Sequence, residues 1–437
     1  MSARRVFLLY TAINAIAMKM IFTALAAYYV RVIGMSPLQL VLTGTAIEVT
    51  AFVFEVPTGI VADVYSRRLS VLIGGFLISL TYLLEGSLPL FAVVIAAEVI
   101  RGIGETFRSG ATEAWITDEI GAEHMGELHA RNAQVWRVCW VIGTLISVAL
   151  ASLFGYQAAI LTGAGLLLLF NIALCFIMPE TGFVRPQRAI GATIRDDART
   201  MVATLRQSGG VVRGTPVVLL LVVAEIIRGG ASEGWDRLWE SHVLNNFSLP
   251  MLSLPIIGIG ALDPIAWFAV VEFLGMIIGV PFWEVVKRRF TVTSATPNAT
   301  VARWLMASYA IVAVCSLGFA VTGSFALAII FLVLRDLFYG PPGTISGTWI
   351  NLHIPGRVRA TVLSMLSQAN ALGQFGAGPG VGAVGGSFGV RAALALASAL
   401  HAPLLWLYGR FIRRGNEIGN ALVTELEAAP EPTSPAV

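Results

Sequence analysis

Long apolar segments alternate with short polar connections along most of this chain. A helix needs about 20 mostly apolar residues to cross a bilayer, and twelve segments meet that requirement. Ser36 before Pro37 is a typical N-cap and first-turn pair for the second segment, and Ser87 before Pro89 suits the fourth. The pattern predicts an all-α integral membrane protein with twelve transmembrane helices, near residues 6–30, 38–62, 69–86, 89–115, 129–153, 156–178, 215–240, 262–286, 302–322, 325–350, 359–385 and 389–412.

A polar stretch at 179–212 divides these segments into two sets of six. It holds five Arg residues, too many to cross a membrane. We therefore predict an N-terminal six-helix half at 1–178, a cytoplasmic linker at 179–212 and a C-terminal six-helix half at 213–414. The final residues, 415–437, contain three Pro residues and are predicted to form a disordered cytoplasmic tail.

The composition agrees with a membrane protein. Of 437 residues, 56% are hydrophobic and 13% charged, whereas soluble domains carry about 25% charged residues. A net charge of +3 gives no support for nucleic-acid binding. The five His residues lack metal-ligand spacing, and no catalytic motif is present. We therefore expect no metal, no cofactor and no enzymatic activity.

Lys and Arg residues are concentrated in alternate connections. By the positive-inside rule, these connections face the cytoplasm. Both termini and the linker are then cytoplasmic, and the protein is predicted to lie in the cell membrane. This orientation requires an even number of spans, and twelve satisfies it. The basic residues on that side include Arg4, Arg5, Arg67, Arg68, Arg131, Lys287, Arg288, Arg289, Arg410, Arg413 and Arg414.

A short internal repeat supports two related halves. Arg101 precedes Trp115 by fourteen residues in the fourth segment, and Arg335 precedes Trp349 by the same interval in the tenth. In both places Ile follows the Trp. The repeat predicts that the two halves have corresponding helices.

Many charged residues lie inside the predicted spans. A centrally placed charge costs about 2.5–3.5 kcal/mol on insertion scales, so these side chains must pair or face a polar interior. They predict a water-accessible pathway through the helices. The candidates for proton coupling or for lining a cavity are Lys19, Glu48, Glu55, Arg101, Glu105, Glu113, Glu225 and Arg228, and further charges of this kind are Arg108, Glu272 and Arg335.

Helical spacing indicates which of these charges share a face. Glu98, Arg101, Glu105 and Arg108 alternate in sign on one face of the fourth span. They form either a structural ladder or part of a proton pathway.

Glu48 and Glu55 also face one way, because they are seven residues apart. Each is a candidate cation site or proton carrier, and we expect one of them to pair with Lys19.

The second half has two further features. Glu225 and Arg228 precede Gly229 and Gly230, which we expect to weaken the seventh helix. Beyond them, Trp235 and Trp239 are interpreted as an aromatic belt at the outer interface, in preference to a stacking site for substrate. The Gly-rich stretch at 374–386 predicts close helix contact, with a kink at Pro379.

The connection G-I-V-A-D-V-Y-S-R-R at 59–68, here called the signature loop, resembles the loop between the second and third spans of major facilitator transporters. Ser66 stands where that family usually has Gly. The resemblance covers essentially the whole chain and implies the major facilitator fold, with two pseudo-symmetric six-helix halves. It also implies that Gly59, Asp63, Arg67 and Arg68 form a conformational latch, in which the Asp63 carboxylate contacts a neighbouring helix in one state only.

Three shorter motifs look like the drug:proton antiporter branch that includes macrolide and tetracycline efflux proteins: E-V-P-T-G at 55–59, S-G-A-T-E-A-W at 109–115 and R-A-T-V-L-S at 359–364. The resemblance implies proton-coupled efflux of amphipathic organic compounds by alternating access. Its partners would be a small-molecule substrate, protons and lipid, and both halves in one chain predict a monomer. Uptake, export of a dedicated metabolite such as a siderophore, or a receptor without transport remain alternatives.

Overall fold

A computed structural model describes residues 1–184, 214–253, 262–354 and 359–414 of the chain. The predicted tail and nearly all of the predicted linker lie outside these residues. Helices account for almost the whole of the described chain, and no strand occurs in it. The α-helices are α1 (Ala3–Ala27), α2 (Pro37–Val64), α3 (Arg67–Ser87), α4 (Phe91–Arg108), α5 (Ala111–Ile120), α6 (Met125–Phe154), α7 (Tyr156–Ile177), α8 (Pro216–Asn246), α9 (Ala266–Arg289), α10 (Asn298–Val321), α11 (Phe325–His353), α12 (Arg359–Phe388) and α13 (Val390–Ala399).

The ends of the helices follow local sequence. α1 continues as a π-helical turn, Tyr28–Ile33, before Gly34 in the left-handed region. Ser36 then caps α2 in a full capping box with Gln39, and Pro37 occupies the first turn. The corresponding prediction for Ser87 was wrong, because Ser87 ends α3 and α4 begins only at Phe91.

The predicted fourth span is divided into two helices. α4 ends at Arg108, and Gly110 adopts a positive φ of 68° before α5 begins. Most residues with a side chain are strained at such angles, whereas Gly is not. Glu113, predicted to lie inside the membrane, therefore belongs to α5, where more than half of its side chain is exposed and faces His129.

Nine segments of the described chain are long and apolar enough to cross a membrane. Three more long helices, α4, α8 and α12, carry charges or many Gly residues and pack among the others. Together they form the predicted twelve-helix membrane fold. The nine apolar segments are Ala3–Ile33, Pro37–Glu55, Arg67–Ser87, Ala122–Phe154, Tyr156–Ile177, Ala266–Arg289, Asn298–Val321, Phe325–His353 and Val390–Arg414.

The helices pack into two groups. Helices α1 to α7 pack mainly on one another and form the first bundle, and α8 to α13 form the second. The bundles meet where α2 packs on α12 and α8, α1 on α8, and α6 on α9. The residue limits of the two halves, 1–178 and 213–414, stay a prediction.

The repeat noticed in sequence occupies matching environments. Trp115 and Trp349 are both buried, and their indoles donate hydrogen bonds to the Pro179 carbonyl at 2.6 Å and to Asn298 Oδ1 at 2.8 Å. Arg101 and Arg335 are also buried, each beside aromatic rings. Corresponding residues therefore have corresponding packing roles in the two bundles.

Candidate functional site

The signature loop is held by acidic residues outside it. Ser66 caps α3 by accepting from the Leu69 backbone N–H at 2.9 Å, and its hydroxyl donates to Glu180 Oε2 at 2.7 Å. The backbone N–H of Arg68 also donates to Glu180, at 2.9 Å, and its guanidinium donates to the Cys175 carbonyl. The turn is thus fixed against the end of α7.

The other members of the predicted latch have different environments. Arg67 pairs with Asp118 of α5 at 2.8 Å. Asp63 is exposed, and within the described residues it makes no hydrogen bond or ion pair. Gly59 has open space where a Cβ would lie. In this conformation neither Gly59 nor Asp63 makes the helix contact that the resemblance implies.

The charged stripe on α4 forms two separate ion pairs. Arg101 donates through both Nε and Nη2 to Glu98 Oε2, with the Nε contact at 2.8 Å. Arg108 pairs with Glu105 at 2.8 Å and also donates to Asn14 of α1 at 2.9 Å. Arg101 and Glu105, both candidates for proton coupling, therefore have different partners.

Lys19 reaches across to the second bundle. Its ammonium forms an ion pair with Glu272 of α9, and it lies 4.9 Å from the centre of the Trp140 ring. The expected pairing with Glu48 or Glu55 was wrong, because the partner comes from the other bundle. Glu55 instead accepts a hydrogen bond from Gln368 of α12.

Glu48 belongs to a polar cluster between α2, α8 and α12. With the amide of Gln374 oriented towards both carboxylates, its nitrogen donates to Glu48 at 3.3 Å and to Glu233 at 3.1 Å. Arg237 donates to Glu233 at 3.1 Å. A Cβ at Gly44 would lie 1.7 Å from Glu233 Oε1, so only Gly allows this pair to lie against α2.

Glu233 and Arg237 are not among the site residues predicted from sequence, because their stretch is predicted to lie at the outer interface. The i, i+4 spacing of opposite charges was the pattern that could have found them. The aromatic-belt interpretation was also wrong, because Trp235 does not lie at the outer interface. Its side chain is buried against Phe319, and the Arg335 guanidinium lies 4.1 Å from the centre of the Trp235 ring.

Glu225 and Arg228 form an ion pair at 2.6 Å, as their spacing suggested. Asn370 of α12 donates to Glu225 at 3.1 Å. The helix does not weaken after them, because α8 runs unbroken through Gly229 and Gly230. A Cβ at Gly229 would lie 2.0 Å from the Asn370 carbonyl oxygen, so these Gly residues permit close packing on α12.

Two neighbouring cavities lie beside these charges, and both reach Trp136 and Trp140 of α6. A cavity of about 600 Å³, open on one side, is lined by α1, α4, α5 and α6, and Glu105, Arg108 and Glu113 contribute to its wall. A second, of about 410 Å³, lies between α6, α8, α9 and α11. Its wall includes Trp136, Arg137, Trp140, Trp239, Glu272, Trp283 and Asp336.

The site therefore combines a cavity between two helical bundles with paired charges inside membrane helices. Within the described chain, no group of three or more side chains could hold a metal ion. These features are those of a multi-span membrane transporter, in which substrate passes between two bundles.

Residues 7–262 match the family model of the Major Facilitator Superfamily, and the chain belongs to that superfamily. It is 24% identical over 391 residues to the uncharacterized MFS-type transporter YxaM of Bacillus subtilis (strain 168), covering 89% of this chain and 90% of YxaM. The solved structure of the POT family transporter PepTSo is similar with a TM-score of 0.69 at 10% identity, over 95% of this chain and 98% of PepTSo. A bacterial homologue of the human lysosomal transporter Spinster, solved inward-facing and unoccupied, is similar with a TM-score of 0.65 at 14% identity, over 95% and 97% of the two chains.

Proposed function

We propose that this protein is a proton-coupled exporter of amphipathic organic cations in the cell membrane, and that it works as a monomer by alternating access. The observation that carries the proposal is the cavity of about 410 Å³ between the bundles, where four Trp side chains and two carboxylates meet. A cavity of this size lies within the range that holds small organic ligands.

The cavity wall suits a flat or apolar cation. Trp136 and Trp140 stack with ring centres 4.4 Å apart, and Trp239 and Trp283 line the same space. Indole faces attract cations and also pack on apolar groups. Arg137 is the basic residue of the wall. The wall's two carboxylates pair with cations that lie outside it, Glu272 with Lys19 and Asp336 with Arg335.

Glu272 connects substrate binding to the bundle interface. Its carboxylate pairs with Lys19 of the first bundle while it faces the cavity. A bound cation would compete with Lys19 for this carboxylate, which weakens a contact between the bundles. Substrate binding would then favour the change in conformation that alternating access requires.

The contacts between the bundles suggest which end of the pathway is open. They run along α2 from Pro37, beside Gly385, to Glu55, which accepts from Gln368. Asp63 lies two turns further along α2 and has no partner in the described residues. The pathway would therefore be open at the Asp63 end of α2, which faces the cytoplasm under the positive-inside rule. The signature-loop latch would be released in this conformation.

Paired carboxylates supply candidates for the proton pathway. Glu48 and Glu233 share Gln374, and Glu105 with Arg108 lies in the wall of the larger cavity. A carboxylate that exchanges its cationic or hydrogen-bonding partner between conformations gains and loses a proton accordingly. Glu55 and Glu225 accept hydrogen bonds from α12 and would transmit the change between helices, together with Arg228, which pairs with Glu225.

The test uses purified protein in liposomes with an imposed pH gradient and tetraphenylphosphonium as the cationic probe. We expect accumulation against the probe gradient that a protonophore abolishes. Glu272→Gln should lower it about tenfold, the effect of losing one charge-assisted contact. Glu284→Gln, in an exposed ion pair with Arg288, is the matched control and should leave it unchanged.

Other outcomes would redirect the proposal. Accumulation of an anionic or neutral probe, but not of the cation, would contradict the substrate class. Movement of the probe in the same direction as protons would indicate uptake. Absence of movement for every probe, with correctly folded protein, would contradict transport of this class of compound.

A further inference from the structure

A second cluster of buried charges lies in the first bundle, apart from the cavities. Its centre is Glu85, two residues before the end of α3, with a fully buried side chain. Tyr29 donates to Glu85 Oε2 at 2.8 Å, and Tyr28 donates to the Glu85 backbone carbonyl at 2.6 Å. Glu85 Oε1 is buried and has no hydrogen-bond partner in the described structure.

The cluster contains more acidic than basic groups. Glu98 is also buried, and the guanidinium of Arg101 interacts electrostatically with the carboxylates of both Glu85 and Glu98. Its hydrogen bonds go elsewhere, however: Nε and Nη2 donate to Glu98, and Nη1 donates to the Tyr82 hydroxyl at 3.2 Å. Arg101 is therefore committed to Glu98, and Glu85 lacks a cation of its own.

An ionised carboxylate without a cation is strongly disfavoured in a buried site, and the group becomes neutral by binding a proton. The vacant Oε1 is the atom to which the proton would be attached. The polar and ionisable groups packed around Glu85 come from α1 and its π-helical turn, α3, α4 and α7, and they are Tyr28, Tyr29, Tyr82, Glu98, Arg101 and Gln157.

We infer that Glu85 is a proton-binding residue of the transport cycle, loaded in the conformation described here. This inference rests on the proton coupling of the proposed function. In the other conformation, Arg237 of α8 approaches Glu98 and neutralises it in place of Arg101. Arg101 turns towards Glu85, the carboxyl O–H bond of Glu85 breaks, and the proton passes to water. Arg101 then neutralises the carboxylate that remains.

The cluster is also connected with the second bundle. Arg237 of α8 interacts electrostatically with both Glu98 and Arg101, besides its hydrogen bond to Glu233. A relative movement of the bundles changes the distance from Arg237 to Arg101. Repulsion between these two cations gives a physical route by which that movement would redirect Arg101.

The first experiment measures the proton itself. Infrared difference spectra of purified full-length wild type and Glu85→Gln, recorded at neutral pH, should show a protonated carboxyl band in the wild type that the variant lacks. Loss of an ionised carboxylate band instead would overturn the inference. This measurement needs no substrate. It therefore tests the inference about Glu85 separately from the proposed function, which fails if the wild type does not transport the cation.

The second experiment measures coupling. In Glu85→Gln liposomes, accumulation of tetraphenylphosphonium driven by a pH gradient should fall about tenfold, while exchange of labelled for unlabelled probe without a gradient continues. Undiminished accumulation would contradict the inference. Glu284→Gln is again the control.

A third variant keeps the inference testable if Glu85→Gln does not fold. Tyr29→Phe removes only the hydroxyl that donates to Glu85. The protonated carboxyl band should then move to higher frequency, because its carbonyl oxygen has lost a hydrogen bond. A band at an unchanged frequency would overturn the assignment to Glu85.

Discussion

Lys19 and Glu272 are 253 residues apart in sequence and form an ion pair between the two helical bundles. The two side chains are not equally buried: Lys19 is 9% exposed and Glu272 is 39% exposed. Removal of one partner therefore has consequences that depend on which one is removed.

We predict that Glu272→Gln destabilises the protein more than Lys19→Met. The first change leaves a buried ammonium without a carboxylate, and we expect a loss of about 1–3 kcal/mol, the cost of an unsatisfied buried donor. The second leaves a carboxylate that water reaches, so the expected loss is smaller. Thermal unfolding in detergent measures both, and the double variant should recover part of the loss. Equal effects of the two single variants would contradict this account.

Gly229→Ala should destabilise the protein, because the new methyl group meets the Asn370 backbone of α12. We expect overpacking of about 1–3 kcal/mol. If Gly229 were instead a flexible point, Ala would favour the helix by up to about 1 kcal/mol, so the sign of the change in melting temperature separates the two. Gly165→Ala in α7 is the control, since a Cβ there has open space.

Asp63→Asn should reduce transport of tetraphenylphosphonium without changing protein abundance or melting temperature. Its carboxylate is exposed and unpartnered within the described residues, so the conformation described here does not depend on it. The latch would stabilise the alternative conformation, and a loss of about 1.4 kcal/mol there shifts the balance tenfold. A parallel loss of folded protein would instead indicate a structural role for Asp63.

Membrane orientation can be tested by labelling with an impermeant thiol reagent. In a variant without Cys139, Cys175 and Cys315, which are free in the structure, His129→Cys should react only from the cytoplasmic side. Ser324→Cys, at the start of α11, should react only from outside. Labelling of both from the same side would contradict the predicted topology.

Most of the fold could be predicted from sequence, because the length and apolarity of a membrane helix are local properties. The predicted start of α2 at the Ser36 cap is confirmed, and ten of the twelve predicted spans each lie close to a single helical segment. The exceptions were the twelfth, which has a turn at Leu400 and His401, and the fourth, where the backbone angles at Gly110 interrupt the helix. Such angles are only weakly specified by the residues around them.

Partners of charged residues were less predictable, because they depend on which helices meet. Pairs within one helix, such as Glu225 with Arg228, followed from spacing. The pairing of Lys19 with Glu272 depends on contact between bundles, and no local pattern specifies it. Glu85 was not singled out because it lies near a predicted helix end, where a charge is ordinarily solvated. In the structure it is buried and receives hydrogen bonds from Tyr28 and Tyr29.

The Gly residues of α12 affect how the two bundles can move. Gly373 faces α8 within the second bundle, whereas Gly382 and Gly385 face α2 of the first, and Gly378 lies against both Glu233 of α8 and Val41 of α2. Gly residues have no side chains that must change rotamer or separate when the helices move. α2 can therefore slide or tilt along this face of α12 with little steric resistance. The rate of switching between conformations would then be limited by the exchange of polar partners, and not by repacking of this helix pair.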